Sequence, residues 1–95
     1  MNRARREQLA SPAGLGGAAN LADLPVGARA TIVTLDDNAP PGVLTRLRHL
    51  GFRSGVEVTK LRTAPLRDPA IYRLLGYDTC LRRREAAHVH VQALP

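Results

Sequence analysis

The chain has 95 residues, a formal net charge of +6 and a single cysteine. That length holds one domain, burying only roughly 60% of its unfolded surface, and leaves little room for a deep catalytic cleft. One cysteine excludes an internal disulfide, and no run reaches the ~20 apolar residues of a membrane-spanning helix.

Residues 1–20 read as a flexible tail. Arg3, Arg5 and Arg6 resemble the basic start of an export signal. Glu7 and Gln8 follow, however, and no apolar run of ~7–15 residues comes after them. The expected location is therefore cytoplasmic. Gly14, Gly16 and Gly17 would interrupt any helix here. The compact domain is expected over 21–95. Asn20 suits the cap of a brief helical turn holding Leu21, Ala22, Asp23 and Leu24. Pro25-Val26-Gly27 then turns the chain.

Residues 28–35 contain the β-branched cluster Thr31, Ile32, Val33 and Thr34, which favours a strand. Residues 36–42 are turn formers with two prolines and read as a loop. One helix follows. Val43, Leu44, Leu47 and Leu50 recur at spacings of three and four, giving one apolar stripe. Arg46, Arg48 and His49 fall on the outer face and last turn, where cations suit the helix dipole. Gly51 stands where a left-handed C-cap is wanted. Short strands are expected at 56–62, 69–75 and 77–81, with a loop at 63–68 and a tight connection at Gly76. Residues 82–87 read as a short turn or a single helical turn. Residues 88–92 form a last strand, with Val89 and Val91 on one face and His88 and His90 on the other. Several short strands, one brief helix and no long crossover make a mainly β fold, a small barrel.

Little in this pattern suggests catalysis. There is no nucleophile elbow, and the glycines of the tail lack the flanking strand and helix of a phosphate loop. Asp36 and Asp37 sit in a turn. No cofactor is implied. His88 and His90 share one side of a strand and are the candidate metal ligands, but a firm site needs a third ligand and usually a fourth. Cys80 reads as a small core residue. Arg82, Arg83 and Arg84 form the densest basic run. One of these guanidiniums is expected to pair with Glu85 or Asp78. The run also suits phosphate or an acidic partner, so a basic nucleic-acid-binding barrel is the alternative reading. Phe52, Tyr72 and Tyr77 are the only aromatics, too few for a base-stacking platform. The many leucines read either as a Leu-rich core or as more than a small barrel can hide, in which case a leftover patch would be a protein interface. Self-association through it stays open.

Four stretches, in order, resemble the FeoA family. They are Leu21-x-x-Leu24-Pro25-x-Gly27, Arg46-Leu47-x-x-Leu50-Gly51-Phe52-x-x-Gly55-x-x-Val58, Ala64-Pro65-Leu66-x-Asp68-Pro69-x-x-Tyr72-x-Leu74-x-Gly76, and Leu81-Arg82-Arg83-x-Glu85-Ala86-x-x-Val89-x-Val91. The resemblance implies an SH3-like barrel with one inserted helix. It implies a non-enzymatic cytosolic accessory of bacterial ferrous-iron uptake, in contact with the GTPase-containing permease FeoB. Arg46, His49, Leu50, Phe52, Arg82 and Arg83 are the expected contact residues. The arginines would supply charge complementarity, and Leu50 and Phe52 would be anchors. The long basic tail, and Arg67 where the family often has glycine, depart from the pattern.

Overall fold

The computed structural model describes residues 19–95. The expected tail thus lies outside the described residues, apart from its last two positions. Six antiparallel strands and two helices follow in chain order. They are β1 (Ala19–Asn20), β2 (Arg29–Leu35), α1 (Pro41–His49), β3 (Glu57–Thr63), β4 (Ala70–Leu74), β5 (Tyr77–Leu81), α2 (Arg83–Ala86) and β6 (Val89–Ala93). The sheet order is β1-β6-β2-β3-β4-β5. Strands β2 to β5 run as a meander, and β6 returns to lie between β1 and β2.

Local chemistry sets the joints. A 3-10 turn at Leu21–Asp23 is capped by Asn20, whose Oδ1 accepts from the Asp23 N–H at 3.2 Å. The 36–42 loop opens with an Asx turn, the Asn38 N–H donating to Asp36 Oδ1 at 2.9 Å. Helix α1 begins at Pro41, two residues before the apolar stripe, because proline fits the first turn, where its missing N–H costs nothing. It ends in a Schellman arrangement. The Phe52 N–H donates to the Leu47 carbonyl and the Gly51 N–H to that of Arg48, with Gly51 at φ +98°.

Register shifts between Ile32 and Thr34 in β2, and between Lys60 and Arg62 in β3, are bulges that bend the sheet. The curled sheet and α1 enclose a core around Leu21, Ile32, Leu47, Phe52, Tyr72 and Val89. Of the α1 stripe, only Leu47 is fully buried. Leu75 and Gly76 form the two-residue turn between Leu74 and Tyr77, both with positive φ (52° and 81°). This matches the mirror-image hairpin turns that suit twisted strands. Leu75 thus leaves the strand expected to contain it. None of the helices among the described residues is long and apolar enough to cross a membrane.

Candidate protein-interaction face

The Schellman end of α1 meets the tip of the β4–β5 hairpin. A Cβ placed on Gly51 would lie 2.7 Å from Leu75 Cδ1 and 3.3 Å from the Tyr77 hydroxyl. The bare glycine backbone therefore lets the hairpin tip fold down onto the helix end. The helix end and the hairpin tip, side by side, make a candidate face. It carries exposed His49, half-buried Leu50, and the partly exposed apolar groups Leu75 (64%) and Tyr77 (40%). Leu75 was legible only as one leucine among many. Its telling feature is a bulky residue in left-handed backbone, a costly place for an apolar side chain that buries little.

Arg46 borders this face along α1. Its Nε pairs with Glu85 Oε2 at 2.8 Å and its Nη2 donates to the Cys80 carbonyl at 3.3 Å. The second contact covers part of the outer edge of β5. Glu85 also accepts from the Arg82 N–H at 3.0 Å, capping α2. Two elements distant in sequence are thus tied by one carboxylate.

Several sequence expectations are corrected here. Phe52 is fully buried. As the residue closing the Schellman motif it packs into the core and offers no anchor to a partner. Cys80 is exposed rather than core, because β5 is an edge strand that buries only Leu81. Glu85 pairs with Arg46, and Asp78 with Arg73 at 2.7 Å. That link holds the Asp78 carboxyl below its usual range, the Arg73 hydrogen bond being the main cause. No guanidinium of the 82–84 run takes either carboxylate. Arg83 instead reaches Asp23 Oδ1 at 2.9 Å and the Ala22 carbonyl at 3.1 Å. Arg82 and Arg84 line a separate hollow with Asp68. The structure thus gathers Arg46, His49 and Leu50 on α1 and its end, and places Arg83 by the 3-10 turn.

His88 and His90 are half-buried. His88 Nδ1 lies 3.3 Å from Asp36 Oδ2. Among the described residues, no group of three or more His, Cys, Asp or Glu side chains is placed to hold a metal ion. Lys60 and Arg67 are residues that sequence reasoning missed. Lys60 occupies an inward position of β3 and is 7% exposed. Its Nζ donates to the Ala22 carbonyl at 3.2 Å and lies 5.9 Å from the centre of the Tyr72 ring. Burial lowers the proton affinity of the ammonium, and the neighbouring Arg83 lowers it further. Burial also pushes the Tyr72 hydroxyl up to about 12. The available signal was period-two alternation from Val58, which points Lys60 inward.

A small, curled, antiparallel barrel with a short inserted helix is an SH3-like architecture. The chain belongs to the FeoA domain family, which it matches over residues 19–93. A relative from Porphyromonas gingivalis (strain ATCC BAA-308 / W83), the Fe(2+) transport protein A/Fe(2+) transporter FeoB fusion protein, is 37% identical over 75 residues. These are 78% of this chain and 8% of the fusion protein, so the chain spans only a small part of that relative. The FeoA protein of Chlorobium tepidum is similar in structure, with a TM-score of 0.72 and 36% identity, over 80% of this chain and 70% of that one. The zinc-complexed FeoA of Stenotrophomonas maltophilia, a procaryotic SH3 domain protein, has a TM-score of 0.68 and 30% identity, covering 76% and 87%. The family is associated with ferrous-iron transport, and in one homologue its domain is fused to FeoB.

Proposed function

We propose that this chain is a non-enzymatic accessory of ferrous-iron uptake that acts by binding the cytosolic side of a FeoB-type permease. One observation carries the reading: a 37% identical domain is joined to the transporter in a single polypeptide in P. gingivalis. A covalent link holds two modules at high effective concentration. Where such a domain is not joined to the transporter, the association rests on the domain's own surface. The face formed by Leu50, Leu75 and Tyr77, bordered by His49 and Arg46, has the composition for it, with apolar and aromatic groups at the centre and polar side chains at the edge.

Nucleic acid is the weaker partner on this surface. Among the described residues, Arg29, Arg46, Arg73 and Arg83 are each paired with a carboxylate. These four guanidiniums are thereby already engaged.

The test is affinity purification of the tagged chain from detergent-solubilised cells, comparing the parent with Leu75→Asn. Asparagine tolerates the left-handed conformation at position 75, so the fold is preserved while the apolar projection is lost. The expected result is capture of a FeoB-type permease by the parent and a clear fall with the variant. Equal capture by both would discard this face. Capture of RNA-associated proteins alone, lost on nuclease treatment, would discard the transporter reading.

A further inference from the structure

Lys60 breaks the rule of its own strand. In β3 the inward positions belong to the core, and Val58 fills one of them. Lys60 fills the next, its stem buried and the residue as a whole 7% exposed, while its ammonium reaches the wall of an open cleft. A buried charge is ordinarily paired with an opposite charge, because desolvation is costly. Lys60 has no carboxylate partner among the described residues. One of its three donors meets the Ala22 carbonyl, and Arg83 Nη1 uses that same oxygen.

The surroundings add positive charge. An open cleft of about 450 Å³ is lined by Lys60, Arg67 and Arg83, with Thr63 and Asp23 among its walls. Its inner recess reaches Tyr72, which is 1% exposed. Arg67 has left-handed backbone, φ +67°, in the loop between β3 and β4, and no carboxylate partner among the described residues. Asp23 is the one carboxylate lining the cleft, and it is already engaged by Arg83 at 2.9 Å. Asp68, one residue beyond Arg67, accepts the Arg83 N–H at 2.9 Å and lines the neighbouring hollow with Arg82 and Arg84. Three cations and one engaged carboxylate leave the cleft electropositive.

We propose that this cleft binds an oxyanion, supplied as free phosphate or as the carboxylate of an acidic side chain. The anion would take the unused Lys60 donors and the Arg67 guanidinium, contacts that are short and strong when both partners are charged. It would also offset the repulsion between Lys60 and Arg83. This site is separate from the Leu75–Tyr77 face and does not depend on the transporter contact.

The experiment is an NMR titration of the ¹⁵N-labelled full chain at constant ionic strength. One arm replaces chloride with phosphate, and the other adds a capped tetraglutamate peptide. Saturable shifts are expected at amides in 22–26, 60–67 and 83. Lys60→Met and Arg67→Ala should each weaken binding at least about tenfold, the loss of roughly one charge-assisted hydrogen bond. Arg48→Ala, on α1, should leave it unchanged. Binding of phosphate alone assigns the site to a free anion, and binding of the peptide alone assigns it to an acidic side chain; either supports the site. Methionine keeps the stem volume while Arg83 still serves the Ala22 carbonyl. If Lys60→Met does not fold, exposed Arg67 carries the test. Absence of saturable shifts in both arms, shifts spread equally over Arg48, Arg53 and Arg62, or full affinity in Arg67→Ala would overturn the proposal.

Discussion

Asp36 shows how much one loop residue organises. Its carboxylate accepts the Asn38 N–H and lies within 3.3 Å of His88, so the loop after β2 is fastened to the turn before β6. These contacts hold its carboxyl below the usual range, chiefly through the Asn38 N–H and then through His88. The unfolded carboxyl titrates at about 3.9. Because the folded value is lower, the stabilisation is complete above the unfolded value and is lost as pH falls through the folded one. Asp78, held low mainly by Arg73, adds to the same acid limb. We expect Asp36→Asn to flatten the fall of urea-unfolding stability below about pH 4, with Asp36→Asn/Asp78→Asn flattening it further. An unchanged slope would dismiss these carboxylates as the source. Single residues were also the least legible level of the sequence. Phe52 resembles an anchor in the linear pattern but closes a Schellman motif, a role that only the helix end reveals. Cys80 reads as core because its neighbours do, yet an edge strand packed on one side buries few of its residues. Lys60 was legible in principle, since alternation from Val58 points it inward; composition favours leaving a lysine in solvent, and the pairing of β3 with β4 overrides that preference.

Among the elements, α2 is four residues long and cannot persist alone. It is held by Glu85, which caps the Arg82 N–H at 3.0 Å and ties Arg46 of α1 at 2.8 Å. Glu85→Ala removes both contacts. A lost cap typically costs about 1 kcal/mol, and a partly exposed ion pair adds less. We expect a fall of about 1–2 kcal/mol in urea-unfolding stability, with Glu85→Gln recovering most of it through the retained cap. Equal losses in the two variants would locate the effect in the ion pair instead. Most elements were readable in advance, because turn chemistry brackets them: Asn20, Pro40-Pro41, Gly51 and Gly76 stand at real boundaries. Helix α1 began early for the reason that favours Pro41 in a first turn. The face it shares with the hairpin tip was not readable, because Gly51 and Leu75 are far apart in sequence and meet only when the sheet curls.

At the scale of the whole molecule, the ordered run of family motifs carried the fold, and the strand pairing completes it. Strand β6 is flanked on both sides, by β1 through Ala19 and Val91 and by β2 through Ile32 and Val91. Its Val89 and Val91 are buried. Removing residues 89–95 therefore takes a central strand from the sheet and opens the core on one side. We expect the truncated chain to lose its cooperative thermal transition, by far-UV circular dichroism, while the parent retains it. A sigmoidal melt in the truncated chain would show that β2 to β5 stand alone. The placement of β6 also sets the order of events during synthesis. Strands β1 and β2 leave the ribosome long before the strand that joins them, so both wait with an unpaired edge. Such edges are templates for pairing with other chains, and the nascent protein is most open to association with its neighbours until residue 93 has emerged.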